Sequence, residues 1–317
     1  MGCIKRLLVT ADRKNKAYGH RAEALRRYAP ADWTVDVVYY DRRAIEQICW
    51  PRYDVAFVLP TPIVPEVRRH FMLRGIGTKL VASHNSGLGR RREMLLDCLL
   101  SADHTIVNNY LAWAEAKASI PAARFHATHI PNGVDTTFWR SLVPWQDRPR
   151  KFLWISTRDK TEEPFAYEDG WQTDVRGWTD LAEPMRDILD EWHVEHDFQV
   201  VDDCLPPAEM RDWYNSGRYF LCTSHAEGTP NTLLEAAACG CAVLSTCVGN
   251  VPELIDDRHN GVICPTSLRW LVRAVRLALD NDGRSAARWA KNMQDTIVDW
   301  DWAGRAPAFF SLFDSLM

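Results

Sequence analysis

Tyr219-Phe220-Leu221-Cys222-Thr223-Ser224-His225-Ala226-Glu227-Gly228-Thr229-Pro230-Asn231-Thr232-Leu233-Leu234-Glu235-Ala236-Ala237-Ala238-Cys239-Gly240 reads as a strand, a loop of small residues and a helix. The apolar run Tyr219–Cys222 suits a strand covered on both faces. Thr229 or Asn231 is expected to cap the helix that follows. The free N–H groups and positive dipole end of such a helix suit a phosphate. The loop holds one carboxylate, Glu227, followed by Gly228. Glu235 places a second carboxylate one turn inside the helix. A carboxylate accepts hydrogen bonds in pairs, which suits the vicinal hydroxyls of a ribose or hexose.

The same alternation runs outward in both directions. Before it, strands are expected at Ile4–Thr10, Thr34–Tyr39, Asp54–Leu59, Lys79–Ser83, His104–Val107, Lys151–Ser156 and Asp197–Val201, and after it at Cys241–Thr246. Helical patterns lie between them, including His20–Tyr28, Ala44–Ile48, Pro65–Leu73, Arg90–Leu100, Tyr110–Ala118 and Trp178–Trp192. Strand–helix alternation of this kind predicts parallel sheets with helices on both faces. The turn-rich stretch Ile130-Pro131-Asn132-Gly133-Val134-Asp135, followed by Pro144 and Pro149, marks a boundary near residue 145. The expected architecture is therefore α/β, with two Rossmann-like doubly wound domains over 1–145 and 146–300 and a ligand cleft between them. A last helix over 301–317 is expected to pack back on the first domain.

With 317 residues, 46% hydrophobic and 25% charged, the chain is long enough for two cores and too apolar for extended disorder. No apolar run reaches the ~18 residues of a transmembrane helix, and the apolar part of the start is too short for a signal peptide. Nine cysteines, scattered and without a C-x-x-C, argue against a disulfide or zinc framework and for a reducing cytoplasm. The net charge of −4 hides a split. Residues 1–150 carry 23 Lys and Arg against 14 Asp and Glu, while 151–317 carry 15 against 28. The basic half either faces an anionic partner or is a solvated surface.

Glu227 and Glu235, in register with Gly240-Cys241-Ala242-Val243-Leu244-Ser245-Thr246, Gly249-Asn250-Val251-Pro252-Glu253-Leu254-Ile255 and Asn260-Gly261, resemble the retaining glycosyltransferases of the GT-B fold, family-4 type. Ile130-Pro131-Asn132-Gly133-Val134-Asp135-Thr136-Thr137-Phe138 resembles that family's inter-domain signature. The resemblance implies that Glu235 binds the ribose of a nucleotide sugar, UDP-linked, and that Glu227 binds hydroxyls of the transferred hexose. It implies backbone contacts from Gly228, Thr229, Pro230 and Asn231 to the sugar, and from Thr232 and Leu233 to the phosphate. Arg158 matches the first member of the family's basic pair for the diphosphate. Arg176, before Gly177, matches the second after a long acidic insertion, Asp159–Val175, and Lys160 competes for the same role. Two arginines can neutralise the leaving group, so no metal and no further cofactor is expected.

In the first domain the resemblance implies that His84 faces the reacting sugar, although a structural histidine fits the same position. Gly19 is implied near the donor, or it serves a helix entry. Two departures are evident. Only one strand lies between the first helix of the second domain and Tyr219, where the family usually has two. Asp202-Asp203 and Asp256-Asp257 are not the metal motif of the other large glycosyltransferase fold and read as solvated loop residues.

The acceptor reading rests on charge. Arg90, Arg91 and Arg92 follow the loop after His84, and Arg13, Lys14 and Lys16 follow the first strand. Such clustering suits a polyanion. A hydroxymethylated pyrimidine in DNA is the leading acceptor, in likeness to bacteriophage glycosyltransferases of this fold. An anionic lipid, a polysaccharide or a small molecule stays open. A non-catalytic sugar-nucleotide-binding module and a nucleotide-sugar epimerase are the other classes that share these residues.

Overall fold

The computed structural model describes residues 4–317 apart from 13, 15, 40–46, 60, 85–91, 163 and 167–171. It forms two compact units, Met1–Gly133 with Trp302–Met317, and Val134–Asp301. The division falls inside the Asn132-Gly133-Val134-Asp135 stretch, ahead of residue 145. Helix Ala44–Ile48 falls mostly outside the described residues.

The first unit contains β1 (Lys5–Ala11), α1 (Ala17–Arg27), β2 (Trp33–Tyr39), β3 (Val55–Val58), α2 (Val64–Arg74), β4 (Lys79–His84), α3 (Arg92–Ser101), β5 (His104–Val107), α4 (Tyr110–Ser119) and β6 (Ala127–His129). Its sheet is parallel, in the order β2-β1-β3-β4-β5-β6. Strand side chains alternate between the faces, as a period of two requires. Leu7, Val9, Val55 and Phe57 join one core cluster, while Leu8, Ala56 and Val58 join the other. Both faces are covered, and this explains the unbroken apolar runs. The three-residue strand β6 has no such run, and the sequence did not announce it.

The chain returns to this unit as the helix Trp302–Ser315. Trp302, Phe309, Phe310 and Phe313 are buried in the same cluster as Leu7, Val9 and Phe57. Phe313 lies 5.7 Å from the Phe57 ring and Phe310 lies 5.6 Å from Trp33, both in the tilted arrangements that aromatic pairs favour.

The second unit contains β7 (Phe152–Thr157), α5 (Arg158–Glu162), β8 (Pro164–Ala166), β9 (Gln172–Asp174), α6 (Glu183–Glu191), β10 (His196–Val201), α7 (Pro207–Tyr214), β11 (Tyr219–Cys222), α8 (Asn231–Ala238), β12 (Ala242–Thr246), α9 (Val251–Leu254), β13 (Val262–Cys264), α10 (Leu268–Leu279) and α11 (Arg284–Ile297). The helix of the first unit that follows them is α12 (Trp302–Ser315). The main sheet is parallel, in the order β10-β7-β11-β12-β13. The acidic insertion forms α5 and an antiparallel β8–β9 pair outside that sheet. Among the described residues, β10 is the one strand between α6 and β11.

The strand order reverses between β7 and β11. There the two strands share two register pairs, Tyr219 with Phe152 and Phe220 with Leu153, whereas β7 and β10 share six. Beyond Leu153 and Phe220 the strands part. A ligand crevice in an open α/β sheet forms at the carboxyl ends of the strands, at this kind of reversal. The two chain crossings into and out of the unit lie side by side. Val134 N–H donates to the Trp300 carbonyl at 2.9 Å, and the Thr136 hydroxyl donates to Asp301 Oδ2 at 2.6 Å.

Removing the Phe313 ring leaves a cavity at a fully buried position. Phe313→Ala should cost about 3–5 kcal/mol of stability in the first unit, measured by denaturant unfolding. Wild-type stability would show that α12 does not complete that core.

Candidate active site

The candidate site of the second unit is built on the carboxyl ends of β7, β11 and β12. The loop after β11 is held from both sides. On one side Thr246 Oγ1 donates to the Ser224 carbonyl at 2.6 Å, and Asn250 N–H donates to the Gly228 carbonyl at 3.1 Å. Gly249, at φ +51°, packs so closely that a Cβ would come within 2.3 Å of the Gly228 carbonyl oxygen. On the other side His225 N–H donates to the Val175 carbonyl at 3.0 Å, and the Thr223 hydroxyl donates to the Arg176 carbonyl at 2.7 Å.

That second contact sets the position of Arg176. The buried Asp174 carboxylate accepts backbone N–H groups from Arg176 at 3.1 Å, Trp178 at 2.8 Å and Thr179 at 2.8 Å. It closes the turn in which Gly177 takes φ +65°. Nearby, Asp180 Oδ1 lies 2.9 Å from His225 Nε2 and accepts the Thr173 hydroxyl at 2.6 Å. Burial works against the Asp180 charge, yet the hydrogen bonds from His225 and Thr173 hold its carboxyl below the usual range.

The structure brings Arg176, Ser224 and Glu227 together. The Arg176 guanidinium forms an ion pair with Glu227 and donates to Ser224 Oγ at 3.3 Å. Ser224 Oγ donates in turn to Glu227 Oε1 at 3.1 Å. The Glu227 side chain is 11% exposed and that of Arg176 27%.

The helix start differs from expectation. Asn231 is the first residue of α8, Pro230 stands at the cap position, and no side chain caps the helix. Thr229 Oγ1 instead accepts Asn250 Nδ2 at 3.1 Å. Leu233 N–H turns to the Pro230 carbonyl at 2.9 Å. Among the described residues, the N–H groups open to an anion at this end are those of Asn231 and Thr232, not Thr232 and Leu233.

Glu235 lies one turn further, where Tyr214 donates its hydroxyl to Oε2 at 3.1 Å. Burial pushes its carboxyl up to about 8, against the opposing pull of that hydrogen bond.

The other expected residues divide. Arg158 opens α5 at the end of β7 and is exposed, its Nε donating to Asp202 Oδ1 at 2.7 Å. Asp202 is thus an ion-pair partner rather than a merely solvated loop acid. Lys160 lies half-buried on α5. In the first unit, Gly19 is buried inside α1, and His84 is buried at the end of β4. Burial lowers His84 to about 4, and its Nε2 meets no hydrogen-bond partner among the described residues. Its ring is neutral at physiological pH. Next to it, Ser83 Oγ accepts the buried Arg21 guanidinium at 2.6 Å. Lys14 is exposed and Lys16 half-buried. Arg13, Arg90 and Arg91 lie outside the described residues, and Arg92 is placed only as the first residue of α3.

Sequence reasoning missed Asp174, Ser224 and Tyr214. Asp174 stands two residues before Arg176, and that short acidic-turn spacing was the available signal. Tyr214 reaches Glu235 across α7 and α8, and no local spacing shows it.

Residues 168–281 match the family model described as glycosyl transferases group 1. A human phosphatidylinositol N-acetylglucosaminyltransferase subunit is 32% identical over 101 residues, 30% of this chain and 20% of that protein. The lipopolysaccharide core biosynthesis mannosyltransferase LpsB of Rhizobium meliloti is 30% identical over 109 residues, 33% of this chain and 31% of that protein. The matches thus span less than a third of these curated relatives' own length. Anabaena HepE, solved with UDP-glucose, superposes with a TM-score of 0.71 over 98% of this chain and 99% of its own, at 12% identity. The catalytic domain of starch synthase IV from Arabidopsis thaliana, solved with ADP and acarbose, superposes with a TM-score of 0.70 over 99% of each chain, at 9% identity. The fold is GT-B. The segment that matches glycosyl transferases group 1 lies within the second unit. Among the described residues, no helix is long and apolar enough to cross a membrane.

The raised Glu235 has a consequence for stability. The folded state holds this proton to about 8, while an unfolded glutamate releases it near 4.5. Its contribution is present at low pH and is lost as pH rises through that window. The melting temperature of wild type should therefore fall relative to Glu235→Gln between about pH 5 and about pH 8. Parallel melting curves would rule out a carboxyl that keeps its proton on folding.

Proposed function

We propose that this protein is a retaining glycosyltransferase that moves a hexose from a nucleotide sugar, UDP-linked, to a hydroxyl of an anionic acceptor. One observation carries the reading: Arg176 pairs with Glu227 in the loop that leads into α8, and α8 bears the open N–H groups of Asn231 and Thr232 and, one turn on, Glu235. A diphosphate fits the N–H groups and the guanidinium, a ribose fits Glu235, and a hexose fits Glu227. The group 1 match and the UDP-glucose complex of HepE support a nucleotide-sugar donor.

In the proposed reaction the bond from the anomeric carbon to the diphosphate oxygen breaks, and its electron pair leaves with the diphosphate. The acceptor oxygen bonds to the same face of that carbon, and its proton passes to the departing phosphate. The protein holds the acceptor oxygen and the leaving phosphate on one face of the sugar and stabilises the separating charge. Arg176 faces the leaving diphosphate, with Arg158 as the second cation once it releases Asp202. No metal enters this proposal, because two guanidinium groups supply the positive charge.

Losing the charged hydrogen bonds of Glu227 should cost about 1.5–3 kcal/mol, and losing those of the protonated Glu235 carboxyl about 0.5–1.5 kcal/mol. Glu235→Ala should raise the KM for donor, while Glu227→Ala should lower kcat. Wild-type constants in both variants would remove the site assignment. Activity should also survive excess chelator. Complete loss, restored by Mg²⁺ or Mn²⁺ alone, would show that the arginines do not suffice.

The acceptor follows from the basic first half. Its leading form is a hydroxymethylated pyrimidine in DNA, presented in the groove or flipped from the stack. The second reading is an anionic lipid or sugar phosphate, favoured by the relatives named for phosphatidylinositol, lipopolysaccharide core and D-inositol 3-phosphate. Mass spectrometry of products from a UDP-hexose panel separates the two. Hexose on hydroxymethylcytosine DNA supports the first, whereas hexose on inositol phosphate or phosphatidylinositol vesicles overturns it.

A further inference from the structure

Tyr214 takes no part in the reaction as proposed, yet it is aimed at the site. It is the last residue of α7 and is fully buried. Its ring centroid lies 5.8 Å from that of Trp139, 5.4 Å from Trp213 and 5.7 Å from Phe220. A phenylalanine would fill this aromatic enclosure equally well. The hydroxyl is tolerable there because it is hydrogen-bonded, and its acceptor is Glu235 Oε2 at 3.1 Å.

The tyrosine is itself fixed. Cys241 Sγ donates to the Tyr214 carbonyl at 3.2 Å. The adjacent Asn215 side chain accepts Leu142 N–H at 2.7 Å and Arg148 Nη2 at 2.8 Å, and it donates to the Arg140 carbonyl at 3.1 Å. The end of α7 is thereby tied to the 140–148 segment. Among the described residues, Tyr214 is the one side chain that donates to Glu235. One carboxyl oxygen is taken by a rigid donor, and the other has no protein donor among the described residues.

We propose that Tyr214 is a positioning residue for the nucleotide ribose. It holds one oxygen of Glu235 at the back of the site, so that the second oxygen is oriented and ready for the 2′- and 3′-hydroxyls. This rests on the reading of Glu235 as the ribose ligand. Preorganising an acceptor in this way reduces the rotamer freedom lost on binding. It acts on donor affinity and not on the chemical step.

Calorimetric titration of wild type and Tyr214→Phe with UDP, GDP and ADP, and with their 2′,3′-dideoxy forms, tests the proposal. Near-ultraviolet circular dichroism confirms the aromatic packing of the variant. Wild type should bind at least one diphosphate and lose about tenfold in affinity when the two hydroxyls are removed. Tyr214→Phe should bind the parent diphosphate about five- to tenfold more weakly and the dideoxy form as wild type does. In turnover with donor, KM should rise while kcat stays within about twofold. If wild type does not distinguish the dideoxy form, or binds none of the three diphosphates, the ribose reading of Glu235 fails and Tyr214 falls with it. If wild type distinguishes them and Tyr214→Phe does so equally, Glu235 keeps its role and the positioning proposal is overturned.

Discussion

The site depends on the parting of β7 from β11 after two register pairs. Parallel strands at the centre of a sheet would ordinarily continue their ladder, leaving no room at the carboxyl ends. Here Trp154 takes over part of the joining, its indole N–H donating to Thr223 Oγ1 at 2.9 Å. Thr223 then donates its own proton to the Arg176 carbonyl. The gap in the ladder is thus bridged by side chains that also fix the neighbouring loops. Such bridging matters because polar groups freed from a buried ladder need other partners. The Arg176–Glu227 ion pair forms beside the loops fixed in this way.

Arg176 and Glu227 are each other's partner in the described structure, while the proposed donor needs both. Their side chains are mostly withdrawn from water, so neither could stand alone there without a desolvation penalty. In the proposed reaction a nucleotide sugar would replace the pair with two new ones, guanidinium to diphosphate and carboxylate to hydroxyls. On that proposal the ion pair keeps two costly charges neutralised until a ligand of complementary charge takes over. Asp174 makes this workable. By fixing the backbone of residues 174–179 it leaves the Arg176 side chain as the moving part.

The sequence was most informative where burial imposes a period. The apolar runs of β3, β7 and β11 mark strands covered on both faces, and the alternating cores of both units agree with them. It was least informative where elements are short. β6 and β13 have three residues each, too few for a period, and they follow from the strands beside them. The stretch 223–240 announced its loop and helix, but not that proline would stand at the cap or that Leu233 N–H would turn inward. Those details depend on how the loop is pinned by residues 246–250. Tyr214 and Asp174 were equally silent, because their partners are set by packing between helices and between loops. The basic residues of the first half stand out by count. Charge counting carries the acceptor reading, with Lys14 exposed and Lys16 half-buried after the first strand.

The return of α12 to the first unit has a consequence for the order of folding. The second unit is continuous, from Val134 to Asp301, and contains all of its own strands. The first is interrupted, and the aromatic residues that cover one face of its sheet are synthesised after the whole of the second unit. Its β1–β3 face has no Phe309, Phe310 or Phe313 until all of Val134–Asp301 has been made. Until then Leu7, Val9 and Phe57 lack their aromatic cover. The earlier half of the sequence therefore waits for residues made after the second unit, and this lengthens its exposure to aggregation or to chaperones.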